Sequence, residues 1–177
     1  MRFSLICSMV LLRVFTALNA ATMPASELND IYLRAWNSAT DEVRQELPIE
    51  YQAAACGMST TEFEFMARVI QAESDGSDSM ERLEGKILIA AVIFNRVESS
   101  QFNNTITTVL TESGQFTTVS GGWCSSPLTK SSRWAIVEAQ RRLAADEIPT
   151  DLLYFNCVGY NYGTSYGFVD GNYFMRG

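Results

Sequence analysis

The clearest pattern in the sequence is an apolar helical face that ends in a glutamate. A capping box at residues 59–62 (Ser-Thr-Thr-Glu) predicts that a helix begins there. Apolar residues follow at helical spacing from Phe63 to Ile70, and Glu73 continues the same face. The polar segment 74–79 then ends the helix. The pattern therefore places the Glu73 carboxyl on the apolar side of a last helical turn.

Further helices are predicted on both sides of this one. The segment from about Glu81 to Val97 is apolar nearly all round, which is typical of a helix enclosed by the core. Residues 53–57 are small and are predicted to form a connection that ends at Gly57. The remaining predictions are one helix over 26–46, a short helix over 105–110, and a helix capped by Ser131 or Ser132 that continues to about Ala145.

The C-terminal segment changes from helical to β-type patterning. Residues 152–155, 168–169 and 173–174 are aromatic or aliphatic and favour strands. Asp170-Gly171 lies between the last two and is a strong signal for a two-residue hairpin, because both central positions need positive φ. The expected fold class is α+β: a mostly helical single domain with a small C-terminal β-hairpin.

The N-terminal segment has the pattern of an export signal. A basic start and an apolar stretch over 3–18 predict a secretory signal peptide at residues 1–20. Arg13 interrupts this stretch, and an uncleaved membrane anchor is the alternative interpretation. The rest of the chain is divided into an N-terminal helical extension, 21–58, and the main domain, 59–177. The predicted location is outside the cell, secreted or associated with the cell wall or envelope.

Composition narrows the possible chemistry. Thirteen Lys+Arg against twenty Asp+Glu give a net charge of −7, so nucleic acid is not an expected partner. The chain has no histidine, which excludes Ser-His-Asp triads, Cys-His pairs and His-ligated zinc sites. The remaining acid/base chemistry depends on carboxylates, lysine or tyrosine. Glycoside cleavage is a common carboxylate reaction for a small exported enzyme.

The cysteines do not indicate a metal or redox site. Removal of the signal would leave Cys56, Cys124 and Cys157, and no CxxC spacing occurs. One disulfide between Cys124 and Cys157 is the preferred pairing, with three buried thiols as the alternative. No metal and no cofactor are expected.

Periodicity alone leaves Glu73 open to two interpretations. An apolar surrounding penalises a charged carboxyl and favours the protonated form that a general acid needs. Alternatively, the side chain turns into the polar loop at 74–79 and stays solvated. These two interpretations are about equally supported by the pattern.

The order of short motifs favours the first interpretation, because it resembles the SleB-type (spore cortex-lytic) cell wall hydrolases. The motifs are, in order, Ala72-Glu73, Glu84-Gly85, the AAVIFNRV segment at 90–97, the TI…V…GQF…V segment at 105–119, Leu153-Tyr154-Phe155 and Gly171-Asn172-Tyr173-Phe174. The likeness covers residues 63–175. One departure is the lack of the histidine that related chains often carry in the terminal hairpin.

This resemblance implies a lysozyme-like fold and cleavage of the glycan strands of peptidoglycan, typically as a lytic transglycosylase, with Glu73 as the catalytic residue. Such an enzyme needs a single carboxyl group, whereas an ordinary glycosidase needs a second one. The candidates for a second carboxylate are Asp75, Asp78, Glu84, Glu112 and Asp170. The alternatives are a hydrolytic glycosidase and a non-catalytic wall-binding protein of the same fold.

Further candidate residues surround Glu73. The predicted substrate-binding residues are Gln115, Phe116, Tyr154 and Glu84. The structural alternatives are a turn residue for Gln115 and a core ring for Phe116, and the Tyr154 hydroxyl is a possible partner for Glu73. For Glu84 the structural role is favoured: it would accept backbone amides of the 74–80 loop or cap the core helix. Asn95 and Arg96 are predicted to tie the end of the core helix to its neighbours. The chain is expected to be a monomer that binds peptidoglycan, with a wall-associated protein as a possible partner.

Overall fold

The computed structural model describes residues 23–74, 77–119 and 121–177, so the predicted signal at 1–20 lies outside the described residues. The described chain forms helices followed by a three-stranded antiparallel sheet, which confirms the α+β prediction. The helices are α1 (Ala25–Ser38), α2 (Asp41–Glu46), α3 (Ile49–Ala55), α4 (Thr60–Glu73), α5 (Leu83–Glu98), α6 (Ile106–Thr111) and α7 (Lys130–Ala144). The strands are β1 (Leu152–Asn156), β2 (Thr164–Val169) and β3 (Asn172–Arg176).

Helix α5 is the central helix of the domain, as its sequence predicts. Every residue from Ile87 to Ile93 is buried, and α5 packs against α7 on one side and β1 on another. A short 3₁₀ turn, Met80–Arg82, leads into it. A helix that is apolar all round needs this enclosure, since no face of it favours contact with water.

Helix α4 begins and ends where the sequence predicts. The Ser59 side chain accepts a hydrogen bond from the Glu62 backbone N–H at 3.2 Å, so the N-terminal cap is confirmed. The face from Phe63 to Ile70 is buried in the core. The helix ends at Glu73, with the Ser74 amide bonded to the Ile70 carbonyl.

The single helix predicted over 26–46 is wrong, because the structure has a break at Ala39 and Thr40. Both residues are extended, and Thr40 starts a new helix whose first turn contains Asp41 and Glu42. Acidic residues favour a helix N-terminus, so a start is more stable there than a continuation. Tyr32 of α1 packs on Tyr51 of α3, with ring centroids 4.6 Å apart. The division of the chain at residue 58 stays a prediction.

Two other local predictions are corrected. Residues 53–55 belong to helix α3 and are not a connection, since alanine is the best helix former. The chain does turn at Gly57, where φ is +66°. Thr129 caps α7 in place of Ser131 or Ser132: its side chain accepts from the Ser132 backbone N–H.

The sheet has the order β1-β3-β2 and contains the predicted hairpin. Asp170 and Gly171 both have positive φ, +49° and +90°, which confirms the two-residue turn. The Asp170 carboxylate also accepts the Gly85 backbone N–H at 2.8 Å. A Cβ at Gly85 would lie 2.7 Å from the Asp170 Cβ, so only glycine permits this approach. The hairpin therefore docks on the first turn of α5.

Cys56, Cys124 and Cys157 are free thiols, so the preferred Cys124–Cys157 disulfide is wrong. Cys124 is buried and its thiol donates to the Arg68 carbonyl at 3.5 Å, whereas Cys157 is exposed. Burial raises the pKa of the Cys56 thiol to about 12.

Within the described ranges, no helix combines the length and apolar character needed to cross a bilayer.

Candidate active site

The Glu73 side chain faces a cleft between the helices and the sheet. It is the last residue of α4, and its half-buried side chain lines a depression of about 470 Å³. Residues from the α6–α7 loop, α5, β1, the β1–β2 loop and β3 form the rest of the cleft. They are Arg96, Gly114, Gln115, Thr117, Tyr154, Phe155, Asn156, Cys157, Tyr162 and Asn172.

Two polar side chains hold Glu73 in this position. The Thr118 hydroxyl donates to the Glu73 Oε1 at 2.7 Å. The Asn172 amide reaches the Glu73 backbone carbonyl at 3.5 Å from the start of β3. Sequence reasoning singled out neither residue for this role. Asn172 lies within a recognised motif, but Thr118 is an ordinary loop threonine with no distinguishing signal.

The predicted substrate-binding residues are placed in different environments. Gln115 lies exposed at the cleft rim and Tyr154 lines the cleft wall, where its hydroxyl donates to the Gln101 side chain at 3.2 Å. Phe116 is only 4% exposed and packs on Phe155, with ring centroids 6.2 Å apart. The structure therefore places Phe116 in the core behind the cleft, which is the structural alternative considered for it.

Glu84 lies outside the cleft. Both of its carboxylate oxygens accept from Arg142 of α7 at 2.8 Å, which joins the first turn of α5 to the last turns of α7. The role of helix cap that was considered for Glu84 is filled by Asp170. Glu84 therefore forms an ion pair between two helices. Its position does not support its prediction as a substrate ligand.

Arg96 and Asn95 anchor the end of α5, as predicted. The Asn95 amide donates to the Pro149 and Leu152 carbonyls, each at 3.0 Å, and the Arg96 Nε donates to the Leu153 carbonyl at 2.8 Å. Burial lowers the pKa of the Arg96 guanidinium to about 10. These bonds attach β1, and with it the cleft wall, to the core helix.

A buried lysine in α5 holds the end of α4 in place through hydrogen bonds. Lys86 is 0% exposed, and its ammonium donates to the Gln71 side chain at 3.0 Å, to the Ser131 hydroxyl at 2.7 Å and to the Ser77 carbonyl. The Thr129 hydroxyl donates to the same Gln71 oxygen at 2.6 Å. The turn that carries Glu73 is therefore tied to α5 and α7 through one polar network.

No second acidic side chain lines the cleft among the described residues. Asp170 binds Gly85, and Asp78 accepts the Ser131 backbone N–H at 2.9 Å. Glu112 is not among the lining residues, although its charge acts on Arg96, which lines the cleft. Asp75 lies outside the described residues. In the same part of the chain, no group of three or more Cys, Asp or Glu is placed to hold a metal ion.

These features define the class of the domain: a mostly helical α+β domain whose open cleft presents one carboxyl group among amides and aromatic rings. Residues 80–165 match the model described as Cell Wall Hydrolase. The chain is similar to the SleB-type cell wall hydrolases over this region.

Similar proteins share both sequence and fold with this chain. It is 32% identical over 100 residues to spore cortex-lytic enzymes of Bacillus cereus and Bacillus subtilis. The match covers 56% of this chain but only 36% and 31% of those proteins, so the chain spans about a third of their length. A solved structure, the catalytic domain of the germination-specific lytic transglycosylase SleB from Bacillus anthracis, superposes with a TM-score of 0.54 at 23% identity. That superposition covers 68% of this chain and 98% of the SleB domain.

Proposed function

We propose that this domain cleaves the glycan strands of peptidoglycan as a lytic transglycosylase, with Glu73 as its acid and base. The observation that carries the proposal is the single carboxyl group in the cleft among the described residues. A hydrolytic glycosidase of the usual type needs a second carboxylate to activate water or to attack the sugar. The names of the relatives, spore cortex-lytic enzyme and lytic transglycosylase, agree with this chemistry.

The proposed reaction uses the Glu73 carboxyl group twice, first as an acid and then as a base. Glu73 first donates its proton to the glycosidic oxygen while the bond from that oxygen to C1 breaks, and the electron pair leaves with the oxygen. The resulting carboxylate then takes the proton of the muramic acid 6-hydroxyl as O6 attacks C1. A 1,6-anhydro ring forms, no water is consumed, and the Glu73 carboxyl is restored.

The neighbouring residues position the acid and the substrate. Thr118 fixes the rotamer of the Glu73 carboxyl by its 2.7 Å hydrogen bond. Gln115 and Asn156 present side-chain amides to the cleft, which suit the N-acetyl groups of the sugars. Tyr154 supplies an aromatic wall that a sugar face can cover.

Digestion of purified peptidoglycan followed by mass spectrometry tests this proposal. Wild type should release fragments with anhydro-muramyl ends, and Glu73→Gln should release none, because glutamine cannot donate and recover the proton. Glu64→Gln is the matched control, since Glu64 lies on the same helix but pairs with Arg68 on its other side. Equal product from wild type and Glu73→Gln would contradict the proposal. Reducing ends instead of anhydro ends would assign the domain to hydrolytic cleavage.

We further propose that the protein acts outside the cytoplasm, where peptidoglycan lies, and as a monomer. The supporting sequence feature is the export signal predicted at residues 1–20. Cell fractionation together with the N-terminal sequence of the mature chain tests the location. Size-exclusion chromatography with light scattering tests the oligomeric state, and a stable dimer would contradict it.

A further inference from the structure

Aromatic rings lie exposed on the C-terminal sheet. Tyr173 of β3 projects from the face opposite the buried Phe174, and its ring contacts two others. Tyr160 meets it edge-on, with ring centroids 4.9 Å apart, and Phe168 lies at 4.6 Å. Phe168 is 57% exposed and Tyr160 47%. We call these three residues the aromatic platform. Two of its rings are exposed and the half-buried Tyr173 joins them, and exposed apolar groups of this kind often mark a binding surface.

The platform continues the cleft that contains Glu73. Tyr173 of β3 pairs across the ladder with Asn156 of β1, so their side chains share a face of the sheet, and Asn156 lines the cleft. On the other side, Tyr162 lines the cleft two residues after Tyr160, and its ring stacks on Tyr154 at 5.2 Å. A long polymer leaving the cleft on this side would therefore lie across the platform.

The chemistry of this surface favours a ligand that is recognised through ring faces and hydroxyl groups. Residues 157–169 contain no acidic and no basic side chain, and combine tyrosine and phenylalanine with glycine, asparagine, serine and threonine. Anionic membranes and nucleic acids are recognised by clustered lysine and arginine, which this segment lacks. Sugar rings have an apolar face that stacks on aromatic rings and hydroxyl groups that bond to the surrounding polar side chains.

We infer that the aromatic platform is a binding site for sugar residues of the glycan strand beyond those held in the cleft. The inference rests on the proposed function, because the ligand assigned to the platform is the glycan strand that the domain is proposed to cleave. Its consequence is that the domain holds long strands more tightly than short fragments, since each added stacked ring adds contact area.

Binding of inactive protein to glycan tests the platform without cleavage. In the Glu73→Gln background, Phe168→Ala and Tyr160→Ala should each weaken binding roughly 2- to 10-fold. The probes are purified sacculi and glycan strands freed of stem peptides by amidase digestion. Trp123→Ala is the matched control: Trp123 is 49% exposed, but it contacts Arg68 and lines a separate recess with Ser59 and Thr61. This variant should bind like the parent.

The outcomes separate this inference from the proposed function. Unchanged binding by both platform variants overturns the inference, even if wild type releases anhydro products. Weaker binding to sacculi but not to peptide-free strands assigns the surface to stem peptides and also overturns it. A dimer that dissociates on Phe168→Ala, seen by sedimentation velocity, would make a second copy the occupant. Weakened binding to both probes supports the platform, whether or not wild type cleaves.

Discussion

Replacement of the buried Lys86 by methionine should destabilise the domain by about 2–3 kcal/mol. Among the described residues the ammonium donates to Gln71, Ser77 and Ser131, and hydrogen bonds to a charged group each contribute about 1.5–3 kcal/mol. Two effects make the net loss smaller than the total of these hydrogen bonds. Removal of the charge relieves a desolvation cost of several kcal/mol, and each acceptor keeps another donor. Gln71 Oε1 keeps Thr129, the Ser77 carbonyl keeps the Gln71 amide at 3.2 Å, and Ser131 keeps a weak contact with Thr129 at 3.4 Å.

Urea unfolding at neutral pH, followed by far-ultraviolet circular dichroism, measures this difference. A loss of that size corresponds to a decrease in Tm of about 4–12 °C for a domain of this length. Lys130→Met is the control, because Lys130 pairs at the surface with the largely exposed Glu46 and should change stability by less than about 0.5 kcal/mol. If Lys86→Met is as stable as wild type or more so, desolvation outweighs the hydrogen bonds and the reasoning is refuted.

Two other predictions concern the cleft and the acid stability of the fold. Thr118→Val should reduce kcat several-fold with little change in KM, because the hydroxyl that orients Glu73 is lost. Thr118→Ser keeps the hydroxyl and should have a kcat close to that of wild type. Equal kcat values for the two variants would contradict this role. Hydrogen bonds from Arg141 and Arg142 hold the pKa of Glu138 below its ordinary value despite burial. The ionised Glu138 therefore contributes to the stability of the fold above its unfolded-state pKa, near 4.3. This contribution is lost as the pH falls through the lower folded-state pKa. Glu138→Gln should be about 1 kcal/mol less stable than wild type at pH 6, and this difference should shrink as the pH falls below about 4, as measured by urea unfolding.

The elements that the sequence predicts well are those whose residues carry a strong local signal. Helix α4 has a cap, a period and a polar stop, and α5 is apolar throughout, so both follow from local physics. The Asp170-Gly171 turn follows in the same way, because few residue pairs tolerate positive φ twice. The break at Thr40 was missed because the apolar period continues across it.

The parts of the site that could not be predicted depend on contacts between distant segments. Thr118 reaches Glu73 across 45 positions of the chain, and neither residue's neighbours in sequence indicate the bond. Lys86 resembles a surface lysine in sequence, since only the folded structure surrounds it with acceptors from α4 and α7. Phe116 belongs to a recognised motif, yet the fold uses it to fill the core. The motif thus predicts where the site lies, but it does not distinguish residues that contact substrate from residues that support them.

The contact between Asp170 and Gly85 has a consequence for the order in which the domain assembles. The two residues lie 85 positions apart, and the bond from Asn172 to Glu73 spans 99. Contacts this distant form after local helices, because closing a long loop costs entropy before any contact compensates. The cleft wall from β3 is therefore expected to dock last. A chain whose helices have packed but whose hairpin is still free would have a hydrophobic core and no substrate cleft.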